Sequence, residues 1–443
     1  MDPLNRSVFT RWLTTLFGLV MLTAACFGSL VFLYGGGSWQ TAARLEATNL
    51  SSLELSELVG TSNYLSSDNP SAYSLPVAIA DTLRLPFTNP LGMVMHQFPK
   101  TISQTNSQTQ SQSSFISSLS AWQSSTKKVA LGWVTYNTPL ATEQMIQDNP
   151  GITVVSPQWL SVQNASGALQ NHIEPTVVQY AHNRHIKVWA MLDNQFNAKL
   201  THDVLSSAKS RQNLVNQVLA AAKQGHLDGI NVDFENLRTA DEANFTTFVQ
   251  QLHAAMKPLH LVLSVDVTPD IVFLKDNAAF FHAALAAASD YVIVMAYDEH
   301  WGGDQTPGPV ADVPWVTQSV EDLLDTGVPA DKLILGIPFY TRFWWVHSDG
   351  SVTSQAYATS AVSGILQAHH AVSTWNNYLG VAFAKYPKPE GYMEVWYETP
   401  ATLARKLALI NNNDLAGAAV WSLGWSDKNT WSALVQALRQ TLS

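Results

Sequence analysis

The stretch Asp228-Gly229-Ile230-Asn231-Val232-Asp233-Phe234-Glu235 alternates polar and apolar side chains. Successive side chains of a strand point to opposite faces, so Asn231, Asp233 and Glu235 share one side and Ile230, Val232 and Phe234 the other. The apolar set suits packing beneath helices. The polar set suits the inside of a barrel, aimed at the C-terminal rim where sites of this architecture lie. Two inward carboxylates are costly to bury without a use. The plain alternative is a polar layer that closes the barrel, or a strand end that reaches solvent. Asp228 has the opposite parity and reads as a structural tie at the strand start.

Seven further runs of strand character surround this one: Val129–Thr135, Ile152–Ser156, Ile186–Leu192, Leu261–Val267, Tyr291–Ala296, Leu333–Pro338 and Ala418–Leu423. Amphipathic stretches at Asn213–Gln224, Asn244–Lys257 and Thr402–Asn411 carry apolar residues at three- and four-residue spacing, the helical period. Eight strands alternating with helices predict an α/β fold, a (β/α)8 TIM barrel. A doubly wound sheet is the alternative, but no glycine-rich phosphate loop follows the first strand. The stretch between the seventh and eighth strands, about 342–399, is rich in Trp, Tyr and Val and reads as a small inserted α+β subdomain.

The chain has 443 residues, which suits one barrel of roughly 250–320 residues plus an extension. Its net charge of −10 offers no basic stripe to replace counterions around phosphates, so a nucleic-acid partner is not expected. Fifteen tryptophans suit sugar rings, though tryptophan also fills cores. The single cysteine, Cys26, lies in the N-terminal apolar run, leaving the globular part without a disulfide or thiol nucleophile. The histidines show no metal-ligand spacing, so neither metal nor cofactor is expected.

Residues Trp12 to Tyr34 carry no charged side chain, and Arg6 and Arg11 precede them. These 23 residues would span about 34 Å as a helix, enough for a hydrocarbon core of ~30 Å. The positive-inside rule then places residues 1–34 as a cytoplasmic tip and membrane anchor, with the rest exported. A cleaved signal peptide with secretion, or a lipoprotein processed at Cys26, are the other readings. Residues 35–126 are dominated by Ser, Thr, Gln and Asn, most densely in Gln104–Ser114, and read as a disordered stalk. The barrel is expected over 127–443.

The motif at 228–235 resembles the fourth-strand Asp-Gly-x-Asp-x-Asp-x-Glu of the family 18 glycoside hydrolases. Met295-Ala296-Tyr297-Asp298 is similar to that family's sixth-strand Met-x-Tyr-Asp. Gly336-Ile337-Pro338-Phe339-Tyr340-Thr341-Arg342 resembles the seventh-strand Gly-x-Pro-x-Tyr-Gly-Arg, and Val420-Trp421-Ser422-Leu423-Gly424 the eighth strand. The resemblance spans nearly all of residues 127–440. Tyr297-Asp298-Glu299-His300-Trp301 with Pro307-Gly308-Pro309 looks like the bacterial spore-germination and cortex-lytic branch, which acts on peptidoglycan fragments. Three features depart from the family pattern: Asn231 where Asp is commoner, Thr341 where Gly is common, and a third strand without Ser-x-Gly-Gly.

The resemblance implies hydrolysis beside N-acetylglucosamine in a polysaccharide, by a retaining, substrate-assisted route. Glu235 would be the proton donor, with its pKa raised by the neighbouring Asp233. Asp233 would accept the acetamido N–H, Tyr297 would donate to the acetamido oxygen, and Trp421 would floor the sugar. Asp298 and Asn231 would line the cleft, and Tyr340 and Arg342 would either line it too or belong to a barrel-rim ion pair. Asn231 is expected to donate its amide to Asp233 and keep that carboxylate ionised. Glu299 and His300 would either shape the leaving-group side or form a solvated rim loop. A chitinase, an endo-acetylglucosaminidase, or a non-catalytic lectin on the same barrel are the alternatives.

Overall fold

A computed structural model describes residues 128–135, 137–270 and 279–439. The expected membrane anchor and stalk, residues 1–126, lie outside the described residues. Among the described residues no helix is long and apolar enough to cross a membrane.

Eight parallel strands close a barrel: β1 (Val129–Val134), β2 (Val154–Val162), β4 (Lys187–Asp193), β5 (Gly229–Asp233), β6 (Val262–Val267), β7 (Tyr291–Met295), β8 (Leu333–Pro338) and β14 (Gly417–Trp421). Each pairs with the next, and β1 also pairs with β14, which shuts the ring. The short β3 (Leu169–Asn171) folds back antiparallel on β2. The helices on the outside include α1 (Pro139–Asp148), α2 (Pro175–His182), α3 (Ala198–Ser206), α4 (Ala208–Gln224), α5 (Glu242–Met256), α6 (His282–Ala287) and α7 (Val313–Asp325). The TIM barrel expected from the eight runs is therefore present.

Strand alternation sorts the core into two layers. Ala130, Ile230, Val232, Val292, Val294, Ala418 and Val420 point outward into the main apolar cluster, under helix residues such as Phe245, Phe248 and Val320. Leu131, Trp133, Met191, Ile293, Ile334 and Ala419 point inward and fill the barrel. Close strand approach explains two glycines. A Cβ on Gly417 would lie 2.0 Å from the Val129 carbonyl oxygen, and one on Gly229 would lie 2.5 Å from that of Val262.

β2 runs six residues past the expected end at Ser156. Pro157 reads as a strand breaker because it cannot donate to a ladder. It is tolerated here opposite Val134, the last residue of β1, and the register with β4 then shifts between Gln158 and Leu160.

Between β8 and β14 the chain builds a second, antiparallel sheet. Its strands are β9 (Tyr340–His347), β10 (Val352–Ala358), β11 (Val372–Asn376), β12 (Val381–Lys388) and β13 (Gly391–Tyr397), ordered β10-β9-β13-β12-β11. One face packs Phe343, Ala384 and Val395 against Val362 and Leu366 of α8 (Thr359–Ala368). The chain returns through α9 (Pro400–Asn412) and ends the described part in α10 (Lys428–Arg439). α9 starts from a capping box of Thr399 and Thr402 with Pro400 at its first turn, a sharp stop to the sheet. Lys406 of α9 is fully buried and pairs with Glu398 just before the cap.

Candidate active site

Asn231 and Asp233 face the barrel interior from β5, and Glu235 follows two residues past the strand end, half-buried. Its backbone is clamped from β4's end. The Asn194 amide donates to the Glu235 carbonyl oxygen at 2.6 Å, and the Glu235 N–H donates back to Asn194 Oδ1 at 3.1 Å. Asn194 itself is 1% exposed and also donates to Thr201 Oγ1 at 2.8 Å. Asp228 is the structural tie expected from its parity. It accepts from the Val188 N–H and from Lys187 Nζ, and bonds His182 Nε2. Burial alone would raise its pKa, but these partners hold it below the ordinary value.

Asn231 does not serve Asp233. Its Nδ2 donates to Asp266 Oδ1 at 2.7 Å and to Ser264 Oγ at 3.0 Å, both on β6. Its Oδ1 accepts from Trp133 Nε1 at 2.8 Å on β1 and from Ser156 Oγ at 3.2 Å on β2. All the amide's capacity is used, and Asp233 Oδ1 has no hydrogen-bond partner among the described residues. This corrects the expectation that Asn231 keeps Asp233 ionised. Burial first, and the charge of Asp193 second, push Asp233 up to about 7. Asp266 rises well above the usual carboxylate range, through burial and the charge of Asp233, against the Asn231 bond. Asp193, which accepts from Ser161 Oγ, Gln158 Nε2 and the Gln195 N–H, is also raised by burial.

Tyr297 follows β7. Burial and then the charges of Asp233, Asp266, Glu235 and Asp298 raise its phenol far above the normal value, so it stays protonated and can donate. Tyr340, the first residue of β9, meets Tyr297 edge to face at 6.4 Å and donates its hydroxyl to Asp298 Oδ1. Asp298 lies at the exposed rim with a left-handed φ of 56°. Arg342 is 7% exposed, bonds Ser354 Oγ through Nη1, and adds a positive charge beside Asp298. Trp421, half-buried at the end of β14, tilts against Trp133 with ring centroids 6.1 Å apart. Of the eight residues singled out in the sequence, Asn231 and Asp233 lie inside the barrel, Glu235, Tyr297 and Asp298 just past β5 and β7, Trp421 at the end of β14, and Tyr340 and Arg342 in the first three residues of β9.

Glu299 and His300 belong to the rim loop. Glu299 Oε2 accepts from the Asp312 N–H at 2.8 Å, and burial followed by the Asp312 charge pushes it up to about 8. His300 Nδ1 lies 3.1 Å from the Thr306 carbonyl oxygen and 3.3 Å from Asp304. Both stabilise the loop. The sequence reading missed Asn194, Asp193 and Asp266. Asp266 was within reach: in Val262-Leu263-Ser264-Val265-Asp266-Val267 the two polar residues share the inward parity. No group of three or more His, Cys, Asp or Glu side chains with metal-holding geometry occurs among the described residues.

The family profile described as "Glycosyl hydrolases family 18" matches residues 104–427. The "Uncharacterized glycosylase YvbX" of Bacillus subtilis is 30% identical over 267 residues, covering 58% of this chain and 76% of that one. The "Cortical fragment-lytic enzyme" of the same organism is 25% identical over 256 residues, covering 55% of this chain and 57% of its own length. The chain thus spans little more than half of that relative. The structure of the Bacillus megaterium spore cortex-lytic enzyme SleL superposes with a TM-score of 0.63 at 23% identity, over 70% of this chain and 73% of that one.

Proposed function

The chain belongs to family 18 of the glycosyl hydrolases, and from that premise we propose that it hydrolyses the β-1,4 bond next to N-acetylglucosamine in peptidoglycan-type glycans. One observation carries the proposal: Asp233 is buried in the barrel with its Oδ1 lacking a hydrogen-bond partner among the described residues, while Glu235, Tyr297 and Trp421 stand at the ends of β5, β7 and β14. A 2-acetamido group seated there meets a donor for its oxygen and an acceptor for its N–H. The peptidoglycan preference rests on the cortical fragment-lytic relative and on the Tyr297–Trp301 rim segment.

The chemistry follows from those contacts. Tyr297 donates to the acetamido oxygen and holds it against the anomeric carbon. That oxygen forms a bond to the anomeric carbon as the glycosidic C–O bond breaks, and Glu235 gives its proton to the departing oxygen. Asp233 accepts the acetamido N–H, and its ionised form is favoured as positive charge builds on the oxazolinium ring. Glu235, now a carboxylate, takes a proton from water as the water opens that ring from the opposite face. Two inversions at one carbon leave the β configuration unchanged. Trp421 offers an apolar face to the sugar.

Glu235→Gln keeps the shape and loses the proton. Turnover of purified peptidoglycan and of chitin oligomers should fall roughly 10²–10⁴-fold with sugar binding retained. Product of inverted configuration in an NMR time course, or wild-type turnover by the variant, sinks the assignment. The charge-free run Trp12–Tyr34 supports an exported barrel tethered to the membrane. Retention in membranes through a carbonate wash tests that tether, and recovery of the chain free in the medium refutes it.

A further inference from the structure

We propose that a groove at the outer edge of the five-stranded sheet is a second glycan platform, binding a distant length of the β-linked N-acetylhexosamine chain held at the barrel mouth. The proposal rests on the glycosidase reading above. The groove encloses about 580 Å³ and is lined chiefly by Trp375, Asn376, Asn377, Tyr378, Phe383 and Trp396. Four flat rings and two carboxamides match the mixed character of a pyranose, with apolar C–H faces and a hydroxyl and amide edge. No acidic or basic side chain contributes to the lining, which suits an uncharged sugar backbone.

The rings are exposed yet held in place. Tyr378 is 80% exposed and Trp375 37%. The turn that presents them is fixed at several points. Asn376 Oδ1 accepts the N–H groups of Tyr378 at 3.1 Å and Leu379 at 3.0 Å. The Gly380 N–H returns to the Asn376 carbonyl oxygen at 2.8 Å, and the Val313 N–H of α7 bonds the Leu379 carbonyl oxygen at 2.9 Å. Arg405 of α9 donates to the Asn377 carbonyl oxygen at 3.3 Å, and its guanidinium carbon lies 5.2 Å from the centre of the Trp375 ring. An exposed aromatic surface on so restrained a turn loses little freedom when a ligand stacks on it.

The sheet register relates the groove to the barrel mouth. Arg342 on β9 stands opposite Trp396 on β13, which stands opposite Phe383 on β12, which stands opposite Thr374 on β11. Directly opposed residues share a face, and this face is the one turned away from α8; Trp375, opposite Ala382, has the other parity and joins the lining at the sheet's outer edge. Trp396 and Phe383 lie 4.8 Å apart by ring centroid. Three strand spacings of ~4.8 Å put Thr374, on the far side of the groove, about 14 Å from Arg342, whose charge acts on Asp298 at the mouth. A glycan leaving the mouth over this face would meet Trp396 first, and only a long chain would reach Trp375 and Tyr378.

The test uses the full chain and the double substitution Trp375→Ala with Tyr378→Ala. Binding is measured by calorimetry in the Glu235→Gln background, and hydrolysis in the otherwise native protein. Probes are chitotriose, chitooctaose and purified peptidoglycan strands of comparable length. Removing two stacking rings should weaken binding of the long chains roughly 10-fold and raise their KM similarly, with chitotriose changed less than ~2-fold. The two long probes separate chitin-like from peptidoglycan chains as occupant. Unchanged affinity for every long chain overturns the platform and leaves the groove as a protein-contact face. An equal loss for short and long chains overturns it too, since the rings would then act through the mouth. If the native chain cleaves none of the probes, the glycosidase reading fails, while the calorimetry still decides whether the groove binds sugar.

Discussion

Asn194→Ala tests whether the placement of Glu235 depends on its neighbour's amide. The side chain makes four hydrogen bonds: to Thr201 Oγ1, to the Glu235 carbonyl oxygen, and from the N–H groups of Glu235 and Phe196. At ~0.5–1.5 kcal/mol net for each, their loss should destabilise the fold by roughly 2–6 kcal/mol. Two of the four bonds hold the peptide groups of Glu235. A displacement of the acid by ~1 Å costs on the order of 10² in rate, so kcat should drop about 100-fold. No contact to the sugar is removed, so KM should stay within about 3-fold of native. Thr201→Val is the control. It breaks the bond behind Asn194 and the one from Thr201 Oγ1 to the Asn197 carbonyl oxygen, and should cost about 1–3 kcal/mol with kcat nearly intact. Urea unfolding gives the stability terms and chitin-oligomer hydrolysis the kinetic ones. If Asn194→Ala loses stability while kcat stays within about 3-fold, the clamp is structural and the argument fails.

Two further outcomes follow from buried charge. In the proposed mechanism Asp233 must be ionised to stabilise the cation, and burial pushes it up to about 7, so kcat/KM should fall as pH drops through that value. Asp193→Asn removes a negative charge that disfavours ionisation. The acidic limb should move to lower pH with the alkaline limb unmoved, and a shift upward in the pH–rate profile contradicts the assignment. Lys406→Met leaves Glu398 buried without its cation, which should cost about 3–5 kcal/mol. Glu398 is already raised by burial against the pull of Lys406, and losing the lysine raises it further. A carboxyl raised above its unfolded pKa contributes stability at low pH that is lost as pH rises. The variant's deficit in urea midpoint should therefore be larger at about pH 8 than at about pH 5, and the reverse trend would refute the pairing.

What could be read in advance divides by range. Parity within one strand is local, so the inward set Asn231, Asp233 and Glu235 and the tie at Asp228 were legible. The partners of Asn231 were not, because Trp133, Ser156, Ser264 and Asp266 come from three other strands and alternation does not say which inward groups meet. Asn194 was hidden for another reason. It lies beyond the end of β4, before Gln195 and Phe196 with φ of 56° and 54°, where no period operates. The inserted sheet was legible as a segment rich in Trp, Tyr and Val, but not as five strands. Its order β10-β9-β13-β12-β11 depends on long-range pairing.

The saturated amide of Asn231 has a mechanical consequence. Strands in a barrel are normally joined only to immediate neighbours around the ring, and each seam can loosen separately. Here one side chain on β5 is bonded across the interior to β1, β2 and β6, of which only β6 is its neighbour in the sheet. Parting any of these strands at that depth leaves a buried polar group without a partner. That half of the barrel should therefore open as one cooperative unit. The mouth of the barrel is carried on a floor that yields all together or not at all.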